Sequence, residues 1–439
     1  MKEKVTVIFD IGKTNKKFFL FDQQLQQLHE EFISFSEKED DDNFPSDNLS
    51  EIEAWVIDKY KTVLNNSKYD IVSVNFSSYG ASFVHLGKDK KPVTPFYNYS
   101  KPFPCEILDE FYQKYGSKEK FSMETASPCL GMLNSGLQLY WIKKQKPELF
   151  KQIAHSLHFP QYLSFLISGE LTNEYTSIGC HTSLWDYDKK FYHKWVYRES
   201  IDKLFPKIVP TNTAFHIKPN NIKVGIGIHD SSSALIPYLQ KSEVPFILIS
   251  TGTWCICLNP FNNEPLTLNN LEEDCLNYMQ TNGQLVRASR LFMGNEYNIW
   301  TERLAIHFNK DKLFHKKVKY DPQILNQPSN NKEKKYYVWQ SINIKSKTNL
   351  ERTDLSFFKS YEEAYHQLMK ELMDLQIQKF YQVVGSSFIK RIYVDGGFSD
   401  NELYIKMLSN LLPQFEIIPT KIPLGSAWGA AMIIQDKNL

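Results

Sequence analysis

The chain has 439 residues, of which 42 % are hydrophobic and 23 % charged, a balance typical of a globular protein rather than of a disordered chain. The formal net charge of +1 gives no electrostatic signal for a nucleic-acid partner. The length predicts two or more domains, because single hydrophobic cores stop growing well below it.

The six cysteines are scattered, and they form neither a CxxC motif nor a spacing with histidine that is typical of metal sites. This pattern favours free thiols in a reducing compartment. The first residues lead directly into a strand, unlike a signal peptide, and no apolar run approaches the roughly 20 residues that span a bilayer. We therefore expect a cytoplasmic protein without a membrane partner.

The chain opens with two apolar stretches separated by a polar turn. Residues 5–9 and 18–21 are rich in β-branched and aromatic side chains, which predicts a hairpin of two strands. The turn holds a carboxylate, a glycine, a hydroxyl and three lysines, namely Asp10, Gly12, Thr14, Lys13, Lys16 and Lys17. An ordinary surface hairpin and a phosphate-binding turn with a metal-facing carboxylate both fit these residues.

The next segments predict a unit of α/β type. Residues 37–48 are acidic and contain a proline, so we expect a solvated connection rather than a metal site. A helical pattern follows, with Ser50 as a plausible N-cap, and then a buried strand that ends in a small-residue turn at 77–80. The succession of hairpin, helix and strand is typical of α/β folds.

The middle of the chain, about 105–215, has mainly helical patterns, with Pro147 at the start of one helix and Gly169 at the end of another. A second strand-rich region then begins. Residues 246–258 repeat the order strand, Gly/Thr turn, strand of residues 5–21, which indicates two related halves. A polar loop at 326–337, a long helix at 361–384, a strand–glycine turn–helix unit and a final small-residue helix complete the chain.

Four turns with chemically active residues each follow a predicted strand, at 10–14, 227–233, 250–253 and 395–399. Glycine lets backbone N–H groups approach phosphate oxygens, and a carboxylate can bind Mg²⁺ or accept a proton. Because ligands of α/β folds collect at the carboxyl ends of strands, these turns predict a cleft between two domains. Neither a P-loop nor a GxGxxG motif is present.

In their order and spacing the turns resemble those of the FGGY carbohydrate kinases, within the actin-like ATPase superfamily. FDIGKTNKKFFLFD resembles the first phosphate turn, with Lys17 at the basic position and Lys13 where a small or hydroxyl residue is usual, so that the hydroxyl role shifts to Thr14. GIGIHDSSSAL resembles the catalytic-aspartate motif and STGTWCICL the second phosphate turn. VDGGFSDNELYIKMLSNLLP and GSAWGAAM resemble the nucleotide-binding end, so the resemblance covers nearly the whole chain.

Two details narrow the resemblance. The His–Asp pair at 229–230 and the Gly–Thr–Trp turn at 252–254 are similar to the L-rhamnulose and L-fuculose kinases. The sugar loop FYNYSKPFP differs from the family pattern, since Asn98 and Lys101 stand near the places of an aspartate and an arginine. That difference leaves the exact sugar open.

The resemblance implies an α/β fold of two actin-like (ribonuclease H-like) domains, with a sugar-binding domain at 1–240, a nucleotide-binding domain at 241–439, and a cleft for ATP and sugar between them. It implies an ATP-dependent kinase that uses Mg²⁺ and transfers the γ-phosphate of ATP to a ketose hydroxyl, with a deoxyketohexose such as L-rhamnulose or L-fuculose as acceptor, and it is compatible with a homodimer. Three alternatives remain open: a kinase for xylulose, ribulose or a polyol, an actin-like ATPase that acts on a protein, and an inactive sugar-binding relative.

The resemblance also implies roles for individual residues. Asp230 is the candidate general base, although an aspartate before SSSAL also fits a helix N-cap; Asp10 is the candidate Mg²⁺ ligand, with a structural turn carboxylate as the alternative. The candidate phosphate contacts are Thr14, Lys17, Thr251, Gly252 and Thr253, and the candidate nucleotide contacts are Gly396, Gly397, Phe398 and Asn401. The candidate sugar contacts are Ser78, Tyr79, Gly80, Asn98, Glu174, Tyr175 and His229. Phe398 and His229 fit packing roles as well, and we expect Trp254 beneath the phosphate turn and Trp141 and Trp185 in the core.

Overall fold

A computed structural model of the chain describes residues 2–218, 220–325, 335–342, 353–420 and 425–435. Two mixed β-sheets, each flanked by helices, organise these residues. Most of the polar loop expected at 326–337 lies outside the described residues, which include only its last three positions.

The first half, up to the helix that follows His229, contains thirteen strands, several of them only two residues long. They are β1 (Glu3–Ile11), β2 (Lys16–Phe21), β3 (Gln27–Ile33), β4 (Lys38–Glu39), β5 (Pro45–Ser46), β6 (Tyr69–Ser78), β7 (Phe83–Leu86), β8 (His155–His158), β9 (Trp185–Asp186), β10 (Phe191–Tyr192), β11 (Ala214–Ile217), β12 (Ile222–Gly225) and β13 (Ile228–His229). The second half contains β14 (Phe246–Thr251), β15 (Cys255–Asn259), β16 (Cys275–Met279), β17 (Leu285–Leu291), β18 (Arg391–Gly396) and β19 (Glu416–Pro419).

The α-helices, in chain order, are α1 (Leu49–Leu64), α2 (Cys105–Tyr115), α3 (Lys118–Thr125), α4 (Ser135–Gln145), α5 (Pro147–Phe150), α6 (Phe159–Ser168), α7 (Tyr175–Ile178), α8 (Lys194–Arg198), α9 (Asp230–Lys241), α10 (Leu268–Glu272), α11 (Met293–His307), α12 (Pro322–Leu325), α13 (Tyr361–Val384), α14 (Glu402–Leu411) and α15 (Gly425–Gln435). No helix among the described residues is long and apolar enough to cross a membrane.

The two sheets share the order of their central strands, in agreement with the prediction of two related halves. In the first sheet, β1 lies between β6, to which it is parallel, and β2, to which it is antiparallel, and β3 follows β2. In the second sheet, β14 lies between parallel β18 and antiparallel β15, and β17 follows β15. Each sheet therefore brings the tip of a hairpin beside the carboxyl end of a parallel strand.

Local sequence signals place most helix ends correctly. Pro147 begins α5, Gly169 ends α6 with a φ of 73°, and α13 has the predicted bounds. The cap predicted for α1 is wrong, because α1 begins at Leu49 after Asn48, and the Ser50 hydroxyl donates to the Asn48 side chain.

Two helices cross between the halves. Helix α15, the small-residue helix near the end of the chain, packs on the first sheet, where its alanines meet Ile8, Phe19 and Phe21. Helix α9 follows the first sheet in sequence, yet its Leu235 and Tyr238 belong to a core with residues of the second sheet. The two helices touch at Gly429, where a Cβ atom would lie 1.9 Å from the Ser233 carbonyl oxygen. Only glycine permits this approach.

Side chains with expected core positions are buried. Trp141 and Trp185 are buried as predicted, and all six cysteines are free thiols, in agreement with the sequence. Trp254 differs from the expectation, because 38 % of it is exposed and its ring lies 4.4 Å from that of Phe292 rather than beneath the turn.

Candidate active site

Strand register brings the candidate residues of the first half into two adjacent rows. Asp10 on β1 pairs with Lys17 on β2 and with Ser77 on β6. One residue further along β6, Ser78 pairs with His229 on β13, and Asp230 follows directly. The sheet itself therefore places two carboxylates and one lysine at the same edge.

The start of α15 connects this edge to the second half. Ser426 is within hydrogen-bonding reach of the Asp10 carboxylate. At the neighbouring position, a Cβ on Gly425 would lie 2.6 Å from Oδ2 of Asp395, near the end of β18, where the glycine turn begins. The first turn (residues 10–17) and the glycine turn (residues 395–399) thus face each other across the first residues of α15.

Asp10 is a buried carboxylate with one nearby cation. The Lys17 Nζ atom lies 3.6 Å from Oδ2 of Asp10. Burial raises the pKa of Asp10, Lys17 lowers it and nearby Asp230 raises it, with a net increase. Among the described residues, two carboxylates with one lysine leave an uncompensated negative charge, which fits a divalent cation with oxygen ligands.

Asp230 is the first residue of α9 and has a side chain that is 34 % exposed. Its Oδ1 accepts a hydrogen bond of 2.6 Å from the Ser231 backbone. Burial of the remaining surface raises the pKa of Asp230 to about 6, although Ser231 and Lys17 oppose the shift. The N-cap alternative is wrong, since His229 occupies the cap position. The result is a partly accessible carboxylate with a pKa suited to accepting a proton near neutral pH.

His229 lies behind Asp230 and is buried. Its Nε2 atom is 3.2 Å from Oδ1 of Asp230 and 3.1 Å from the Cys180 Sγ atom. Burial lowers the pKa of His229 to about 4, so the imidazole is neutral at pH 7. A neutral ring beside Asp230 leaves the negative charge of the carboxylate uncompensated.

The β6 turn (residues 78–80) borders this pair. Gly80 is close-packed, because a Cβ there would lie 2.5 Å from the Cys180 sulfur and 3.2 Å from the His229 ring. The Ser78 hydroxyl is buried and has no hydrogen-bond partner among the described residues. Tyr79 donates its hydroxyl proton to Asp47. This turn therefore shapes the wall beside Asp230.

The other candidate sugar residues already have protein partners. Glu174 is fully buried, and its carboxylate caps α7 and accepts the Thr211 hydroxyl. The Asn98 amide donates to the Pro45 carbonyl, while its oxygen accepts from Ser100. Tyr175 packs on Trp185 and beside Gly283. Contact of Glu174 or Asn98 with a sugar would require these bonds to be exchanged.

Lys13 and Lys16 of the first turn do not face Asp10. Both ammonium groups bind Asp47, each at 2.8 Å, at the end of the acidic segment 37–48. In the same segment Asp40 is buried against Lys101. The expectation of a solvated connection is therefore wrong for Asp40 and Asp47. Thr14, the candidate hydroxyl, is exposed at the tip of the turn.

The second half contributes two backbone turns. Thr251 is buried, and its hydroxyl donates to the Asp395 carbonyl and accepts from the Phe398 N–H at 3.0 Å. Gly396 has a φ of 85°, and a Cβ there would lie 1.9 Å from the Thr251 carbonyl oxygen. Thr251 therefore fixes the glycine turn rather than offering a free hydroxyl. Gly252, Thr253 and Gly397, by contrast, are exposed.

Phe398 and Asn401 are embedded in the second half. The Phe398 ring packs against Tyr297 and Tyr404, with ring centroids 4.8 and 5.0 Å away, in agreement with the core alternative. Asn401 is the N-cap of α14 and donates its amide to the Tyr365 hydroxyl. Phe398 and Asn401 therefore anchor the glycine turn to the core of the second half.

Sequence reasoning missed several neighbours of the carboxylates. The Ser426 side chain lowers the pKa of Asp10 through a hydrogen bond. Burial, and secondly the charge of Asp230, raise the pKa of Tyr99 to about 12. It also missed Asp47, although two extra lysines in a tight turn and an acidic segment downstream were a signal of charge pairing.

Comparison with known proteins identifies the family. The model of the FGGY carbohydrate kinase N-terminal domain matches residues 5–234, and that of the C-terminal domain matches residues 243–439. The chain belongs to the FGGY family of carbohydrate kinases. Both matching models describe carbohydrate kinases, in agreement with the predicted enzyme class.

Individual relatives are distant. A rhamnulokinase from Halalkalibacterium halodurans is 26 % identical over 52 % of this chain and 49 % of that protein, so the alignment spans about half of that relative. A rhamnulokinase from Oceanobacillus iheyensis is 23 % identical over 81 % of this chain and 78 % of that protein. The crystal structure of a carbohydrate kinase from Novosphingobium aromaticivorans superposes with a TM-score of 0.79 at 20 % identity, covering 99 % of this chain and 92 % of that one. The actin-like fold is thereby confirmed.

Proposed function

We propose that this FGGY kinase transfers the γ-phosphate of ATP to a hydroxyl of a deoxyketohexose, with L-rhamnulose as the first candidate and L-fuculose as the second. The observation that carries the proposal is Asp230, a partly exposed carboxylate with a pKa of about 6 beside the first turn. The distant relatives named rhamnulokinase support the choice of sugar.

Asp230 acts as the general base in this proposal. Its carboxylate accepts the proton of the sugar hydroxyl as the hydroxyl oxygen attacks the γ-phosphorus and the bond to the β-phosphate oxygen breaks. His229 keeps the carboxylate in place through its Nε2 atom, 3.2 Å away. Tyr99 and the β6 turn border the acceptor sugar, and closure of the halves excludes water as a competing acceptor.

The phosphates lie between the turns of the two halves in this proposal. Asp10 would hold Mg²⁺, directly or through water, and the cation would supply charge neutralisation at the phosphate oxygens. Lys17 and Thr14 contact phosphate oxygens from the first turn, and Gly252 and Thr253 do so from the second. Gly396 and Gly397 let the nucleotide approach the backbone of the glycine turn, because a Cβ on Gly397 would meet no described atom within 4 Å.

A coupled assay of ADP release over a panel of acceptors tests the sugar. We expect the highest kcat/KM with L-rhamnulose or L-fuculose, and lower values with xylulose, ribulose and glycerol. A preference for one of the last three would contradict the proposed acceptor and leave the kinase assignment intact. ATP hydrolysis that is stimulated by peptides and by no sugar would instead contradict the proposed function as a whole.

The pH dependence follows from Asp230. A general base works in its ionised form, so kcat/KM should fall about tenfold for each pH unit below about 6 and be level above it. The rate should be measured from about pH 5 to about pH 8, so that the profile extends roughly one unit below that pKa and about two units above it. In Asp230→Asn the residual kcat/KM should no longer fall at acidic pH. If the fall persists, it is caused by the titration of another group.

A further inference from the structure

Asp47 is a buried carboxylate that binds three donors. Its Oδ1 accepts from Lys16 Nζ at 2.8 Å, and its Oδ2 accepts from Lys13 Nζ at 2.8 Å and from the Tyr79 hydroxyl at 2.7 Å. Only 8 % of the Asp47 side chain and 2 % of the Lys16 side chain are exposed. A buried ion pair of this kind is costly to break, because either partner alone would remain charged and desolvated.

The three donors come from two separate turns. Lys13 and Lys16 belong to the first turn, which Lys16 stiffens further by donating to the Lys13 carbonyl oxygen at 2.8 Å. Tyr79 belongs to the β6 turn, next to Gly80 and the His229 ring. Asp47 therefore connects the turn on the phosphate side to the wall beside Asp230.

Asp47 also determines which lysines of the first turn are held away from Asp10. With Lys13 and Lys16 bound to Asp47, Lys17 is the lysine of the first turn that faces Asp10, at 3.6 Å. Without the Asp47 charge, Lys16 would lose its carboxylate and Lys13 would keep Glu37, at 3.2 Å, so that cations of the same hairpin would compete with Lys17 for Asp10 and for phosphate oxygens. The position of Lys17 thus depends on a carboxylate that lies 30 residues along the chain.

We propose that Asp47 is a positioning residue that couples the first turn to the β6 turn, so that a change in one turn alters binding and transfer at the other. The proposal rests on the proposed function for its kinetic consequences. Asp47 itself need touch neither substrate, because it acts through Lys13, Lys16 and Tyr79. The contact gives a structural role to Lys13, which stands where a small or hydroxyl residue is expected from the resemblance.

A double-mutant cycle between Lys13 and Tyr79 tests the coupling. Lys13→Met and Tyr79→Phe remove donors from different turns, and each should lower kcat/KM about tenfold. If Asp47 couples the turns, the double variant should lose much less than the hundredfold product, roughly tenfold to thirtyfold in all. In the Asp47→Asn background the same two substitutions should have little further effect. Multiplicative losses in the native background would overturn the proposal.

Glu199 supplies a matched control. Like Asp47, it is a buried carboxylate that accepts from two lysines and a tyrosine, here Lys114 at 2.6 Å, Lys143 at 2.7 Å and the Tyr115 hydroxyl, among the helices of the middle segment. Glu199→Gln should lower Tm about as much as Asp47→Asn and leave both KM values unchanged. Equal kinetic losses in the two variants would show a merely structural role for Asp47.

A second measurement separates this proposal from the proposed function. The dissociation constant of ADP with Mg²⁺, measured by calorimetry, requires no sugar turnover. Tyr79→Phe should weaken ADP binding about threefold or more, although Tyr79 is on the sugar side, and this effect should vanish in Asp47→Asn. No effect of Tyr79→Phe on ADP would overturn the coupling, whereas a wild-type protein that binds ADP but phosphorylates no sugar would overturn the proposed function alone.

Discussion

Asp230→Asn should lower phosphoryl transfer to sugar about a thousandfold at neutral pH and leave the affinity for ADP nearly unchanged. Asparagine keeps the shape of the side chain but cannot accept the proton of the attacking hydroxyl. Asp230 accepts a hydrogen bond from the Ser231 backbone and lies beside the His229 ring, away from the glycine turn, so we expect nucleotide binding to change little when its charge is removed. Steady-state rates with saturating sugar and calorimetry with ADP measure the two quantities.

The same variant should be more stable than the wild type. The pKa of Asp230 is raised in the folded protein, so protonation favours the folded state and the ionised form costs stability above pH 6. The neutral amide avoids this cost, and Tm should rise by a few degrees at neutral pH. Near-normal turnover in Asp230→Asn would rule out the general-base role, and a fall in Tm would show that the loss of activity reflects damage to the fold.

Asp10→Asn should lower turnover by at least about a hundredfold and abolish most of the effect of Mg²⁺ on ADP affinity. Asp10 is the carboxylate that Lys17 and Ser426 face, and its pKa is raised by burial. Removal of its charge leaves Lys17 with Asp230 as its neighbouring carboxylate and the site with one anionic oxygen ligand fewer. Titration of ADP in the presence and absence of Mg²⁺ measures the effect directly.

Asp22→Asn is the control for this substitution. Like Asp10 near the end of β1, Asp22 is an aspartate at the end of a strand, directly after β2. The Asp22 carboxylate, however, accepts hydrogen bonds from the Gln24 and Gln26 backbone N–H groups in an exposed turn. Its replacement should leave turnover and Mg²⁺ dependence unchanged. If Asp10→Asn retained the full Mg²⁺ dependence of ADP binding, Asp10 would be a structural carboxylate and another group would hold the cation.

The sequence was informative where the signal is local. The strand at residues 5–9, the end of α6 at Gly169, and the turns near the ends of β1, β14 and β18 follow from patterns within a few residues. Partners far apart in the chain left no such pattern. Asp47 was therefore assigned to a solvated loop, and Glu174 and Asn98 were assigned to sugar although their polar atoms bind the protein.

Helix α15 has a consequence for the synthesis of the protein. Its alanines cover Ile8, Phe19 and Phe21 on the first sheet, although more than 400 residues separate Phe21 from Gly429. During translation, that apolar surface of the first sheet remains uncovered until α15 has been synthesised, more than 400 residues after β2. We therefore expect the N-terminal half to depend on chaperones during translation, and to acquire resistance to proteases only when residues 425–435 have emerged.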